Sequence, residues 1–301
     1  MKMFWLGFAV LIFCSLAVDL GLFRRKPKSG TLRESLAWVL VWITLAMLFD
    51  AVIWMHHGPQ KSLEFLTGYV IEISLSMDNV FVFISIFAFF AVPATSQHKI
   101  LFWGILGAMI LRGLMIAVGC ALVAKFSWIF YIFGGFLILT GIKMALTRGE
   151  EIEPDRNPVV RFFRRLLPIT DGHRGAKFFV RENGRLMATP IFLVLAVVEA
   201  SDVVFAVDSV PAIFSITTDP FIVFTSNIFA ILGLRSLYFV LARAADKFHL
   251  LHYGLGAVLI FVGAKMLLER TAYRIETLPS LAVVGVILAV SVIASLMMAE
   301  E

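Results

Sequence analysis

The chain has 301 residues, of which 60% are hydrophobic and only 16% are charged, and its mean hydropathy is +0.93. A soluble domain carries roughly a quarter charged residues, so this chain cannot cover itself with charge, and its solvent is lipid. A soluble enzyme, a disordered scaffold and a disulfide-rich secreted fold are excluded, and the formal charge of +5 reads as basic cytoplasmic loops rather than a nucleic-acid surface.

A membrane span needs about 20 mainly apolar residues. In chain order such segments fall at 3–23, 34–55, 64–90, 100–123, 127–147, 188–215, 220–243, 250–268 and 278–298. They predict an all-α integral membrane fold of about nine transmembrane helices. The first segment is not a signal peptide, because Arg24, Arg25, Lys26 and Lys28 follow the apolar run instead of preceding it. With the amino terminus outside, the inner loops hold 17 Lys and Arg and the outer side holds 6. The positive-inside bias therefore predicts N-out, C-in.

The stretch 148–187 is the one long polar segment and reads as a solvated, basic cytoplasmic connection. His173 within it, and His98 in another inner loop, read as ordinary loop histidines. His56-His57 reads as an interfacial turn before Gly58-Pro59. Cys14 and Cys120 lie in separate apolar runs and form neither a disulfide framework nor a metal-ligand spacing.

Two stretches of the chain resemble each other. Glu72 and Asp78 are six apart in EISLSMDNV, and Asp202 and Asp208 are six apart in DVVFAVDSV. Each pair precedes a Leu-Arg-x-Leu, holding Arg112 and Arg235, and each stretch ends in Gly-x-Lys-Met, holding Lys143 and Lys265. Each unit contains three spans. Three is odd, so the second unit enters the membrane from the opposite side, which predicts two inverted three-helix repeats, an arrangement of many secondary transporters. The organisation is then one membrane domain over 1–301: two leading spans (1–63), a first repeat (64–147), the basic loop (148–187), a second repeat (188–268) and a final span (269–301).

An ionised side chain at the bilayer centre costs from about 3 to over 10 kcal/mol. Glu72, Asp78, Glu199, Asp202 and Asp208 nevertheless fall inside the third and sixth spans, with Asp50 near the outer end of the second. Two arginines against five deep carboxylates leave a deficit of positive charge, for which protons or a divalent metal are the candidates. Arg112 and Arg235 read either as structural clamps or as internal cations that take the carboxylates when substrate leaves. Lys143 and Lys265, at span ends, are expected to snorkel.

Glu199 and Asp202 share a helix face. Asp202 and Asp208 are rotated by about 240° on a straight helix, so their convergence needs a second helix, an unwound turn, or both. Pro211 cannot donate to the carbonyl of Val207, which makes Asp208-Ser209-Val210-Pro211 the candidate turn. Ser74–Asn79 is the counterpart in the third span. Asn79, Ser209, Ser74, Ser76 and Ser201 complete an all-oxygen donor set, which favours Mg²⁺, Ca²⁺ or Mn²⁺. Met77 reads as packing.

At these motifs the sequence resembles the TerC family of integral membrane proteins, most closely its Alx-like members. The resemblance rests on residues 68–83, 131–146, 198–214 and 217–239 and covers nearly the whole chain. It implies manganese export, with links to alkaline pH response and, by name, tellurium resistance. It maps the family's site onto Glu72, Asp78, Asn79, Glu199, Asp202 and Asp208; Val207, Ser209, Arg112 and Arg235 stand in support on the helix-geometry and charge arguments above. Asp50 stands where the Alx-like pattern tends to have Asn and is read as peripheral.

The expectation is a multi-pass protein of the inner (cytoplasmic) membrane. It is a secondary transporter, not an enzyme, with no cofactor and no nucleic-acid partner, that exports Mn²⁺ by alternating access in exchange for protons. No GxxxxGK[ST] motif is present for ATP. Two alternatives stay open: a non-transporting membrane assembly or insertion factor, and a Ca²⁺ transporter. An intramembrane aspartyl protease would require a Gly-x-Gly-Asp setting, whereas Asp78 follows Ser-Met and Asp208 follows Ala-Val.

Overall fold

The computed structural model describes residues 2–23, 32–126, 128–146, 161–162, 165–166, 168–170, 175, 177–182, 185–243, 250–268, 271, 273 and 275–298, without the side chains of 2, 3, 19–23 and 78. The basic cluster at 24–28, most of the 148–187 loop with His173, and Lys247, Arg270 and Arg274 lie outside the described residues.

The helices are α1 (Lys2–Phe23), α2 (Leu32–His57), α3 (Pro59–Phe89), α4 (Ala94–Lys125), α5 (Ile129–Leu146), α6 (Pro190–Phe214), α7 (Pro220–Leu241), α8 (Leu251–Leu268) and α9 (Thr277–Met298). Among the described residues α2 to α9 are each long and apolar enough to cross a bilayer, and α1 carries the apolar stretch Phe4–Val18. The spans read from hydropathy therefore reappear as helices. Their starts follow local chemistry. Pro59, Pro190 and Pro220 each occupy the first turn of a helix, where a missing N–H leaves nothing unsatisfied. Asp219 caps α7 by accepting from the Phe221 N–H at 3.0 Å. Only Gly58 separates α2 from α3; its φ of +87° lies in the region that favours glycine.

The core interleaves the two units. α3 packs on α7 and α6, and α4 packs on α6 and α7. In α7, 78% of the apolar window is buried, against 17% in α2 and 11% in α9. The former is central, while α2 and α9 turn most of their surface outward. An aromatic cluster ties α1, α2 and α3 to α7: Phe49 lies 4.9 Å from Phe229, and Phe8 and Phe65 each lie 5.9 Å from it, centroid to centroid.

The tightest seam is α5 on α8. A Cβ on Gly134 would stand 2.9 Å from the Gly263 carbonyl oxygen, and one on Gly263 would stand 2.7 Å from that of Gly134. Gly141 and Gly256 meet in the same mutual way, at 2.6 and 2.9 Å. Rising numbers on one helix meet falling numbers on the other, so the pair is antiparallel. Small residues let membrane helices approach this closely, where van der Waals packing replaces the hydrophobic effect.

Four sequence expectations change here. Both α3 and α6 run unbroken through the proposed unwound turns, with Pro211 inside α6. Val207 is exposed on that helix rather than beside a ligand site. Lys265 is buried, whereas Lys143 is exposed; packing of α8 covers the former, so only Lys143 is placed to snorkel. His98 belongs to the first turns of α4, with its ring 4.2 Å from that of Phe239. The loop before α6 contains a hairpin, β1 (Phe179–Glu182) paired antiparallel with β2 (Arg185–Ala188).

The Gly256 carbonyl oxygen and the Ile260 backbone nitrogen block any side chain at Gly141, so Gly141→Ala is expected to destabilise the fold by about 1–3 kcal/mol through overpacking. Gly135 on the same helix has nothing within 4 Å of its Cβ position, and Gly135→Ala is expected to be neutral or to gain up to about 1 kcal/mol from helix propensity. Thermal melting in detergent separates the two. Equal melting would contradict the seam.

Candidate functional site

Arg112 of α4 is 1% exposed, at the centre of the interleaved helices. Its guanidinium meets Asp202 of α6 in a parallel fork, Nε donating to Oδ2 at 3.2 Å and Nη2 to Oδ1 at 3.1 Å. Such bidentate pairs are among the stronger hydrogen bonds in proteins. Nη1 forms an ion pair with Glu72 Oε1 of α3. It also donates to Ser209 Oγ at 3.3 Å and to Asn227 Oδ1 of α7 at 3.5 Å. One cation thus joins four helices, two from each sequence unit. Glu72 and Asp202 are the leading members of the two six-apart acid pairs, Glu72/Asp78 and Asp202/Asp208.

The site is buried and incompletely satisfied. Glu72 and Asp202 are 0% and 2% exposed. Among the described residues, Glu72 Oε2, Asn227 Nδ2 and the nearby Ser76 Oγ are buried without hydrogen-bond partners. Ser74 and Ser201 instead turn their hydroxyls back to the carbonyls of Val70 and Val197, at 2.6 and 2.8 Å, the usual recourse of a hydroxyl inside a helix.

The remaining acids of α6 are not held by Arg112: Asp208 points elsewhere, as a straight helix requires, and Glu199, one turn before Asp202, packs on another part of α4. The Glu199 carboxylate lies against Gly107 of α4, in space that a Cβ there would fill. Its Oε2 is buried without a partner. Asp208 faces α5, where the Thr140 hydroxyl is in hydrogen-bonding reach. Among the described residues neither acid has a basic partner. Asn79 is buried on α3, and the Asp78 side chain lies outside the described residues. Asp50 is peripheral, accepting from Ser62 Oγ at 2.9 Å.

Among the described residues no three His, Cys, Asp or Glu side chains converge at metal-holding distance. The structure brings together Glu72, Asp202, Ser209 and Arg112, and leaves Glu199 and Asp208 on separate faces. Arg235, the repeat counterpart of Arg112, is only half-buried, which corrects the expectation of two equally buried arginines. With Asp202, Gly104, Ala108 and Val198 it lines a cavity of about 10 Å³, room for roughly one water. The residue that sequence missed is Asn227. It lies 115 positions from Arg112; its being an amide inside a predicted span, directly after Thr225 and Ser226, was the available signal.

Comparison with known proteins places the chain in a family. No solved structure matches the chain. An uncharacterized membrane protein of Myxococcus xanthus is 50% identical over 292 residues, 97% of this chain and 91% of that protein. The proposed membrane-bound redox modulator Alx of Escherichia coli (strain K12) is 50% identical over 298 residues, covering 96% of this chain and 92% of Alx. Its counterpart in Salmonella typhi is 46% identical over the same span. The model of the integral membrane protein TerC family matches residues 57–301, and the chain belongs to that family.

Proposed function

We infer that this chain is a secondary transporter that exports Mn²⁺ from the cytoplasm by alternating access, in exchange for protons. The observation that carries the reading is the charge of the buried site. Glu72 and Asp202 share one arginine, and Glu199 and Asp208 have no basic partner among the described residues. Charge of that sign inside a membrane protein marks an ion or proton path by default. The oxygen-only set of Glu72, Asp202, Ser209 and Asn227 suits a hard divalent cation. Asp78 and Asn79, six and seven residues beyond Glu72 on α3, are further oxygen donors of the same chemistry.

The antiparallel α5–α8 seam, joining the last helix of each sequence unit, is what inverted repeats would produce. In this reading the two units rock about that seam, and the site opens alternately to either side. Glu199 and Asp208 serve the protons, because a carboxylate without a cation in a dry interior is stable only when neutral. The N-out, C-in orientation, and with it export, rest on the Lys and Arg bias; the choice of manganese rests on the family resemblance. Alx carries a redox description. In this chain Cys14 is exposed and Cys120 half-buried, both free, and neither belongs to the site.

Flux in proteoliposomes loaded with Mn²⁺, Ca²⁺, Mg²⁺ or Zn²⁺ tests the reading. Wild-type protein is expected to move Mn²⁺ above the other three. Asp202→Asn and Asp208→Asn are each expected to lower that flux at least about tenfold, the effect of losing about 1.4 kcal/mol or more at the limiting step. Equal flux in wild type and variants would remove the site, and preferred flux of Ca²⁺ would reassign the substrate. Cys14→Ser/Cys120→Ser protein is expected to keep wild-type Mn²⁺ flux under reducing and oxidising conditions. A redox-dependent flux that vanishes in the double variant would favour thiol chemistry instead.

A further inference from the structure

Every acceptor around the Arg112 guanidinium is an oxygen. Asp202 gives two, Glu72 one, Ser209 a hydroxyl and Asn227 an amide carbonyl. Carboxylate, hydroxyl and amide oxygens are also the ligands a hard divalent cation takes, in sets of six to eight. The guanidinium therefore occupies a cage whose donor set is the one a metal ion would use. The two acids come from corresponding positions of the two sequence units, so whatever cation sits between them bridges the units.

The fit to arginine is incomplete. Nη1 has two N–H groups but three oxygen neighbours, two of them at 3.3 and 3.5 Å. Glu72 Oε2 and Asn227 Nδ2 stay buried without partners. A clamp selected only for stability would satisfy these atoms, since unpaired buried polar groups are costly. A cation that must leave and return needs its site held less than fully.

We propose that Arg112 is a tethered counter-cation, which fills the cage of Glu72, Asp202, Ser209 and Asn227 while no divalent cation is bound, withdraws when one arrives, and returns to neutralise the emptied carrier. This deepens the transport reading and rests on it. Metal and guanidinium compete for the same oxygens, so the metal is bound less tightly than the bare cage would allow, which favours its release. An empty carrier with two unpaired acids in its dry centre could not close around them. With Arg112 returned to the acids, it can close and reorient.

The test compares two transport modes and one equilibrium. In proteoliposomes, Arg112→Gln is expected to lower net Mn²⁺ efflux at least about tenfold while keeping at least about half of the wild-type Mn²⁺/Mn²⁺ counterflow, because exchange never requires the empty carrier to reorient. In detergent, the same variant is expected to bind Mn²⁺ at least about threefold more tightly than wild type, by isothermal titration calorimetry. Arg112→Lys, which keeps the charge and loses the fork, is expected to shift both readouts in the same direction by less, and it carries the test if Arg112→Gln does not fold. Net efflux and counterflow falling together in monodisperse protein, or Mn²⁺ binding no tighter than wild type, would overturn the proposal. Wild-type protein that moves no Mn²⁺ in either mode defeats the transport reading instead, while tighter binding by Arg112→Gln would still support competition in the cage.

Discussion

The Arg112 guanidinium, shared by two buried acids, governs the centre of this molecule. In lipid a charge has no bulk solvent to fall back on, so Glu72 and Asp202 must be neutralised by something held within the protein. Arg112 does so from a third helix, and Asn227 completes the surroundings from a fourth. Removing one partner of such a buried pair commonly costs about 3–5 kcal/mol, because the other charge is left behind. The interleaving of α3, α4, α6 and α7 is therefore fixed by charge as well as by shape. One arginine between two carboxylates is one positive charge short, and that shortfall turns a structural device into a candidate for exchange.

The rest of the scaffold divides into a rigid part and a permissive part. At the α5–α8 seam, backbone meets backbone at four glycines, and no side chain on those positions can give way. Around Arg112, by contrast, buried polar atoms lack partners. Packed interfaces tend to have discrete arrangements rather than to deform continuously. A molecule that holds one seam fast and leaves its polar centre underconstrained is suited to switch between two arrangements about that seam.

Much of this was legible in the residues. Hydropathy located every helix, with the starts of α3 and α4 read five and six positions late, where Pro59 and the residues before Ile100 extend them. The six-residue spacing of acids picked out Glu72 and Asp202 together with Asp78 and Asp208, without separating them. The β1–β2 hairpin was not read from sequence, because the charge of the 148–187 stretch hides its short strands. What pattern could not supply were choices made by packing. A proline in a helix interior breaks it in isolation, yet α6 continues past Pro211, which is buried among its neighbours. Lys265 and Lys143 stand in matching motifs, and only their surroundings decide that one is buried and the other exposed. Likewise Arg112 and Arg235 look alike in sequence, while the fold gives one the acids and the other a cavity wall.

Family membership agrees with this architecture and leaves the chemistry to the site. Folds host several functions, so the assignment has to stand on particular atoms. Here those atoms are the oxygens of Glu72, Asp202, Ser209 and Asn227. The most direct measurement is anomalous diffraction at the manganese edge from crystals grown with Mn²⁺. The account predicts a peak between the Glu72 and Asp202 carboxylates, with the Arg112 guanidinium withdrawn from both. Arg112 still seated on the two acids, with manganese absent or bound elsewhere, would contradict it.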